Sequence, residues 1–261
     1  MKSTSHKKTV LITGASSGIG LSISRAFAKA GYSLALTGLE ASGHDLVRGL
    51  HADYGVKAIF KQIDLKNSFD IHSFAKEVAT QIGTISVIVN NAGIQHVEDF
   101  GNFQPERWDD VISVNLSAVF HMTQAVWQGM KEQGFGRIIN ISSVHGMRAS
   151  EHKAAYVAAK HGVVGLTKVL SIEGAPHGIS ANAVCPGWVA TPLVERQIEE
   201  KITQSGSSRD QVLGESFLKR QAVKDFVPAE LIADTCLFLA SEGSRLLTGT
   251  VIPIDGAWTA Q

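Results

Sequence analysis

Apolar runs rich in β-branched residues alternate with amphipathic stretches along almost the whole chain. The apolar runs predict strands at residues 9–13, 33–37, 58–63, 86–89, 137–141, 180–184 and 250–254. Apolar positions at helical spacing predict helices over residues 20–30, 69–81, 107–133 and 155–173. Runs such as Val87-Ile88-Val89 lack alternation, as expected for strands buried on both faces. The pattern predicts an α/β fold, with a doubly wound parallel sheet of about seven strands and helices on both faces.

The segment 188–226 departs from this alternation because it is longer and more polar. Its centre, Ser205-Gly206-Ser207-Ser208, has the composition of a loop. An insertion after the carboxyl end of a strand lies where α/β folds bind ligands, so we expect a helical lid over a substrate. A peripheral pair of helices is the alternative. No repeat or linker divides the chain, and residues 1–261 are predicted to form one domain.

Composition and charge narrow the classes of partner. Hydrophobic residues make up 44% of the chain and charged residues 18%, which is typical of a globular protein. Lys+Arg and Asp+Glu both number 24, so no net field favours nucleic acid or a membrane surface. No apolar run reaches the roughly 20 residues that cross a bilayer, and residues 1–8 resemble a solvated tail. With two cysteines, Cys185 and Cys236, we expect a reduced, cytoplasmic protein.

A glycine-rich turn, Gly14-x-x-x-Gly18-x-Gly20, joins the first predicted strand to the first predicted helix. Glycines let the backbone approach a pyrophosphate, and a helix N-terminus offers unpaired N–H groups and the positive end of its dipole. An ordinary turn is the competing interpretation, but the strand–turn–helix context favours a dinucleotide site. The predicted cofactor contacts in this turn are Thr13, Gly14, Ser17, Gly18, Ile19 and Gly20.

Tyr156 and Lys160 are four residues apart in a predicted helix, so their side chains share one face. A tyrosine pKa near ~10 is too high for an efficient base at neutral pH, and a neighbouring ammonium group lowers it. Such a tyrosine can take the proton of an alcohol as a hydride leaves for a nicotinamide. Ser143 can hold the same oxygen through a hydrogen bond. Taken alone, the Tyr-Lys spacing indicates an exposed pair on an amphipathic helix, and it is the preceding Ser143 and dinucleotide turn that favour a catalytic pair.

Motifs placed in order along nearly the whole chain resemble those of the short-chain dehydrogenase/reductase family. After the glycine-rich turn they are Asp64-Leu65, Asn90-Asn91-Ala92-Gly93, Asn115, Ser143, Tyr156-x-x-x-Lys160 and Pro186-Gly187. The resemblance implies a Rossmann-type fold, a nicotinamide cofactor, a homotetramer and no metal. It makes Asn115, Ser143, Tyr156 and Lys160 the catalytic residues.

The resemblance also implies individual cofactor contacts. Asp64 and Leu65 would flank the adenine, Asn91, Ala92 and Gly93 would line the adenosine ribose side, and Pro186, Gly187, Val189 and Thr191 would border the nicotinamide. Lys160, together with Tyr156, would contact the nicotinamide ribose, and Asn115 would help to carry a proton-relay water. Asn91 could instead, or in addition, tie strands together through its amide.

Two positions bear on the choice of cofactor. A 2′-phosphate needs a Lys or Arg before the second glycine or just after the second strand. Those positions hold Ser17 and Gly38-Leu39, without a base. The acidic residue usual for NAD is also missing there, because Glu40 comes slightly too late to be assigned. The sequence predicts NAD, with Leu39 among its contacts.

Strings around the predicted site are similar to those of the family branch that oxidises D-3-hydroxybutyrate to acetoacetate. They cover residues 91–96, 143–146, 153–156, 185–188, 191–197 and 255–258. The carboxylate of such a substrate needs donors near Tyr156 and Ser143. Gln95, His145, Lys153 and Gln197 can supply them, and Trp188 and Trp258 can enclose the short alkyl part. Each residue also has a plainer interpretation, as a loop, solvated or core residue.

Two other functions compete with this one. An NADP-dependent 3-oxoacyl reductase would share the fold and the catalytic residues, but it would need a base for the 2′-phosphate and no carboxylate clamp. A catalytically silent dinucleotide-binding regulator would share only the fold. The intact catalytic residues argue against the regulator.

Overall fold

The computed structural model describes residues 8–260, so Gln261 and most of the predicted tail lie outside the described residues. Within that range, seven parallel strands form one sheet in the order β3-β2-β1-β4-β5-β6-β7. The strands are β1 (Thr9–Thr13), β2 (Ser33–Gly38), β3 (Ala58–Gln62), β4 (Ile85–Asn90), β5 (Gly136–Ile141), β6 (Ile179–Pro186) and β7 (Val251–Ile254). The order reverses between β1 and β4, which confirms the predicted doubly wound, Rossmann-type parallel sheet.

Helices connect the strands. They are α1 (Gly18–Lys29), α2 (Gly43–Tyr54), α3 (Ser68–Gln81), α4 (Pro105–Ile112), α5 (Ala118–Gln133), α6 (Ala154–Gly174), α7 (Pro192–Ser205), α8 (Arg209–Val212) and α9 (Ala229–Ala240). None of the helices in residues 8–260 combines the length and the apolar character needed to cross a membrane.

Alternate residues of each strand pack on opposite faces of the sheet. Val10 and Ile12 of β1 belong to an apolar cluster with α1, α2 and α9, whereas Leu11 belongs to a second cluster with α3 and α5. All three side chains are completely buried. The predicted helices on both faces are therefore confirmed, and the two clusters hold the strand ends in fixed positions.

A chain of buried polar side chains crosses the face that α5 and α6 cover. Asn90 Nδ2 donates to Thr123 Oγ1 of α5 at 3.2 Å and to Asn140 Oδ1 of β5 at 2.8 Å. Asn140 Nδ2 donates in turn to Thr167 Oγ1 of α6 at 2.8 Å. Because an unpaired buried donor costs about 1–3 kcal/mol, these bonds favour one position of α6 on the sheet. That helix carries Tyr156 and Lys160.

The predicted helix 107–133 is interrupted between α4 and α5. Residues Ser113–Ser117 form a π turn, which accommodates an extra residue and contains Asn115. The spacing of apolar residues does not reveal this extra residue, because apolar positions occur in α4 before the π turn and in α5 after it. The strand boundaries differ from the predicted ones by one or two residues at most.

The segment 188–226 contains α7, α8 and a π turn at Leu213–Phe217, packed around a small apolar cluster of its own. Its two ends are joined, because Val227 N donates to Trp188 O at 2.8 Å and Val189 pairs with Val227 as a β-bridge. Gln221 is fully buried beside this junction, and its Oε1 accepts from Trp188 N at 3.2 Å. Movement of the segment as a lid remains a prediction.

Candidate active site

The glycine-rich turn between β1 and α1 excludes larger side chains. A Cβ added at Gly20 would lie 2.0 Å from Gly14 O, and Gly14 itself has a φ of +61°. Ser17 precedes α1 in an extended conformation, and its side chain does not cap the helix. The first N–H groups of α1 are thus open to an anion. This cradle fits the pyrophosphate of a dinucleotide.

Thr13 joins the glycine-rich turn to the loop after β4. Its Oγ1 accepts hydrogen bonds from Asn91 N and Ala92 N, both at 3.0 Å. Asn91 Nδ2 donates back to Thr13 O at 2.9 Å and to Gly14 O at 3.1 Å. Asn91 therefore does tie two strand ends together, as one interpretation of the sequence expected. The four bonds lie where the strand order reverses, which is where such sheets bind ligands.

The remaining predicted adenosine contacts follow the ends of β2 and β3. Leu39 is 58% exposed, whereas Leu65 is buried against the apolar cluster under α3. Asp64 Oδ1 accepts from Lys66 N at 3.0 Å. Because the strands are parallel, these residues share the edge of the sheet that holds the glycine-rich turn. Their contacts with a cofactor remain predictions.

A cavity opens at the carboxyl ends of β4, β5 and β6, and it brings together residues predicted for three purposes. From the predicted cofactor set it is lined by Ile19, Asn91, Gly93, Pro186, Gly187, Val189 and Thr191. From the predicted catalytic and substrate sets it is lined by Ser143, Tyr156, Lys160, Gln95, His145, Lys153, Trp188, Gln197 and Trp258. The cavity is also lined by residues that were not predicted, namely Ile94, Ile141, Ser142, Val144, Leu193 and Val194. Leu193 and Val194 could have been found, because they precede Gln197 by four and three residues on one helix.

Tyr156 and Ser143 face each other in the cavity and share a hydrogen bond. Burial raises the pKa of Tyr156, and the bond from Ser143 opposes this effect. Lys160 Nζ lies 5.5 Å from the centre of the Tyr156 ring and donates to Ile141 O at 2.8 Å. Burial lowers the pKa of Lys160 to about 8. Both shifts favour the neutral forms of these groups. The sequence predicted that Lys160 lowers the pKa of Tyr156, whereas in the structure burial raises this pKa and only the hydrogen bond with Ser143 lowers it.

Asn115 lies outside the cavity, almost fully buried in the π turn. Its Oδ1 accepts from Ile94 N and its Nδ2 donates to Ile94 O, both at 2.8 Å. The side chain thus fixes the loop that carries Ile94 and Gln95. Both polar atoms of the Asn115 side chain are thus engaged by Ile94. The role of Asn115 in carrying a relay water remains a prediction.

Lys153 immediately precedes α6 and extends towards His145 and Trp188. Its Nζ lies 3.4 Å from His145 Nε2 and 4.9 Å from the centre of the Trp188 ring. Burial, together with the charge of Arg220, lowers the pKa of Lys153 to about 8. Burial followed by the charge of Lys153 lowers the pKa of His145 to about 4, so His145 is neutral.

Several apolar and polar groups enclose the space beside Lys153. The Trp188 and Trp258 rings are stacked 6.4 Å apart, and the His145 ring meets Trp258 edge-on at 5.6 Å. Gln95 Nε2 is a buried donor without a partner among the described residues. Such a donor is costly unless a ligand accepts its hydrogen bond. The arrangement can therefore hold a small anion next to Tyr156. No group of three His, Cys, Asp or Glu side chains within residues 8–260 could hold a metal ion.

Comparison with known proteins agrees with this geometry. A family model described as short chain dehydrogenase matches residues 8–202. The chain is similar to a D-beta-hydroxybutyrate dehydrogenase of Rhizobium meliloti (strain 1021), with 43% identity over 97% of this chain and 99% of the relative. It is also similar to an acetoacetyl-CoA reductase of Paracoccus denitrificans, with 38% identity over 93% of this chain and 94% of the relative.

Solved structures show the same fold. A variant of actinorhodin polyketide ketoreductase, crystallised with NADPH, superposes with a TM-score of 0.91. Its sequence is 32% identical, and the match covers 98% of both chains.

Proposed function

Because the chain belongs to the short-chain dehydrogenase/reductase family, an oxidoreductase family that uses a nicotinamide dinucleotide, we propose that it oxidises D-3-hydroxybutyrate to acetoacetate with NAD, reversibly. The proposal is carried by one observation: a cationic Lys153 and a partnerless Gln95 donor line the same cavity as Tyr156 and Ser143. A 3-hydroxy acid presents a carboxylate and a carbinol a short distance apart, and these two pairs of residues match its two ends.

The residues divide the chemistry between them. Ser143 and Tyr156 hold the carbinol oxygen, and Tyr156 takes its proton as the C3 hydride departs. Bound NAD supplies the hydride acceptor. Asn91, Gly93, Pro186 and Thr191 lie where they can position it, and Lys160 lies beside Tyr156. Lys153 neutralises the carboxylate while Trp188 and Trp258 exclude water, which strengthens that contact.

The absence of a base at Ser17 and at Gly38-Leu39 supports NAD. The second candidate, an NADP-dependent reductase of 3-oxoacyl thioesters, is favoured by the acetoacetyl-CoA reductase relative and by the ketoreductase with NADPH. Its substrate has no carboxylate at the position of Lys153, so it leaves the cationic end of the cavity unexplained.

A comparison of four reactions tests the proposal. The change in absorbance of the nicotinamide is followed with NAD or NADP and with either enantiomer of 3-hydroxybutyrate. We expect turnover with NAD and the D enantiomer. Faster reduction of acetoacetyl-CoA by NADPH than of acetoacetate by NADH would instead support the second candidate.

We further propose a homotetramer in the cytoplasm. Exposed apolar side chains on the consecutive helices α4, α5 and α6, among them Phe120, Val169 and Ile172, support association between copies. Two buried free cysteines, Cys185 and Cys236, support a reducing compartment. Sedimentation equilibrium tests the tetramer, and a monomer at all concentrations would contradict it.

A further inference from the structure

The Gln221 side chain is fully buried, and both polar atoms of its amide have backbone partners. Its Oε1 accepts a hydrogen bond from Trp188 N at 3.2 Å. Its Nε2 donates to Asp225 O at 2.7 Å and to Val223 O at 3.3 Å. Because these bonds are directional and closed to water, they fix the backbone of Trp188 relative to the chain around Val223.

Two glycines leave the space in which this amide lies. A Cβ added at Gly187 would lie 3.0 Å from Gln221 Oε1, and one added at Gly256 would lie 3.2 Å from Gln221 Nε2. Both distances are shorter than ordinary van der Waals contact. The amide is therefore packed directly between the end of β6 and the loop that follows β7.

The residues after Gln221 are bonded to the loop that carries Trp258. Ala222 N and Val223 N both donate to Gly256 O, at 2.8 Å and 3.1 Å. Trp258 follows two residues later and is buried. This short segment therefore connects the loop of Trp258 to the end of β6, through the buried amide on one side and two backbone bonds on the other.

The two tryptophan rings held by this connection enclose part of the cavity. Trp188 and Trp258 are 6.4 Å apart with an angle of 23° between their planes, and both line the cavity together with Lys153. Gln221 is absent from the described residues that line it. An effect of Gln221 on a bound substrate must therefore pass through the two rings.

We propose that Gln221 is a positioning residue that fixes the spacing of Trp188 and Trp258 and thereby limits the substrate to a short carbon chain. This inference rests on the proposed function and adds the residue that sets its length limit. When Lys153 and Tyr156 hold the two polar ends of the substrate, the carbon atoms beyond the carbinol must fit within the remaining walls of the cavity. D-3-hydroxybutyrate has only a methyl group there, whereas a longer chain requires the rings to move.

Selectivity for chain length tests this role. Steady-state kinetics with NAD give kcat/KM for D-3-hydroxybutyrate and for D-3-hydroxyhexanoate, which is longer by two methylene groups. Gln221→Met keeps a similar volume but leaves Trp188 N without its acceptor, so the end of β6 should shift. We expect the wild type to favour the shorter substrate. The ratio of the two kcat/KM values should fall by about tenfold or more in the variant, since one methylene in an apolar pocket is discriminated by roughly 10–200-fold.

The change should appear in KM more than in kcat, because Ser143 and Tyr156 are untouched. Near-ultraviolet circular dichroism follows the surroundings of the tryptophan rings without any substrate, and its tryptophan bands should change in Gln221→Met. Gln221→Asn keeps an amide that is shorter by one methylene and cannot reach all three partners. It should shift the ratio in the same direction, and it replaces Gln221→Met if that variant does not fold.

A buried amide elsewhere provides the matched control. Asn182 of β6 lies outside the cavity, donates to Leu247 O at 2.7 Å and accepts from Thr250 N at 3.2 Å. Asn182→Leu should lower the melting temperature but leave the ratio and the tryptophan bands unchanged. Trp258→Ala should lower the ratio by itself, and Gln221→Met should add little to it, because both changes act on the same wall.

The outcomes distinguish the possible failures. A wild type without activity on D-3-hydroxybutyrate overturns the proposed function and this inference with it. A wild type that oxidises both substrates and favours the longer one overturns only the length limit. An unchanged ratio in folded Gln221→Met or Gln221→Asn overturns the role of Gln221. An equal fall in Asn182→Leu, or full additivity with Trp258→Ala, also overturns it, because the effect would then not pass through the rings.

Discussion

Lys153 Nζ lies 3.4 Å from Nε2 of His145. An ammonium group can only donate, so Nε2 accepts, and the imidazole proton resides on Nδ1, 3.4 Å from Arg148 O. Both ring nitrogens of the neutral His145 are thereby engaged. Within this pair only Lys153 is charged at neutral pH, and the histidine orients the lysine. The following predictions concern this pair and the groups around it.

Replacement of Lys153 should impair substrates that carry a carboxylate. A charge-assisted contact in a water-poor cavity contributes about 1.5–3 kcal/mol, so Lys153→Ala should lower kcat/KM for D-3-hydroxybutyrate by roughly ten- to a hundredfold or more. Steady-state kinetics measure this effect. An uncharged short secondary alcohol should lose far less, and the affinity for NAD should stay near that of the wild type.

Lys201→Ala, which removes an exposed lysine of α7, is the matched control and should have little effect. Equal losses on charged and uncharged substrates in Lys153→Ala would contradict the carboxylate contact, as would no loss at all.

Binding of a carboxylate should depend on pH through Lys153. The pKa of this group is lowered to about 8, by burial first and by Arg220 second, so it is mostly protonated below that pH and neutral above it. The affinity of the NAD complex for acetate should be constant between about pH 6, where acetate is fully ionised, and about pH 8, and fall by up to about tenfold per pH unit above that. Calorimetry over a pH series measures this, with acetamide as the uncharged control.

Arg220→Gln should move that transition to higher pH, because the loss of a neighbouring positive charge raises the pKa of Lys153. Acetamide should show no such transition. If acetate and acetamide responded alike to pH, the titrating group would be one shared by both, such as Lys160, and the assignment to Lys153 would fail.

Tyr156→Phe should abolish turnover while NAD still binds, since only the proton-transferring hydroxyl is lost. The rate should fall by at least about 10²–10⁴-fold, the usual contribution of a positioned acid or base. Kinetics and cofactor titration on the same preparation check both parts. Substantial activity in a folded variant would remove Tyr156 from this role.

Residues 191–219 should become more protected from hydrogen exchange when NAD and a substrate analogue bind together. Leu193, Val194 and Gln197 line the cavity, so closure on a ligand would order α7. The junction of Trp188 with Val227 should change little, because its bonds already exist. Exchange-mass spectrometry measures both regions. Identical exchange in the free and ternary states would favour a static pair of helices.

Periodicity predicted the sheet because most of its strands are apolar on both faces, and that signal is local in sequence. Contacts between side chains that are distant in sequence leave no such local signal. Glu40, in the loop after β2, accepts a hydrogen bond at its Oε2 from Ser16 Oγ at 2.8 Å, in space that Gly38 leaves open at the end of β2. No local sequence pattern encodes this contact, so the role of Glu40 could not be assigned from the sequence.

The cavity was predicted more fully than the details of its chemistry. Lys153 and Gln95 could be placed near Tyr156 because strand ends of a parallel sheet converge. The engagement of Asn115 by Ile94 could not be foreseen, since it requires the π turn. Nor could the effect of burial on the pKa of Tyr156 and Lys160, because the depth of a side chain emerges only once the helices have packed.

The polar chain from Thr123 through Asn90 and Asn140 to Thr167 has a consequence for how this sequence can diverge. The angular setting of α6 is held by a few directional bonds, whereas apolar packing tolerates many combinations of similar volume. Exchanges among the valines, leucines and isoleucines of the sheet should therefore leave the position of Tyr156 unchanged, provided that the total side-chain volume is kept. We therefore expect substitutions at the four polar positions to be tolerated much less readily, even though none of these residues lines the cavity.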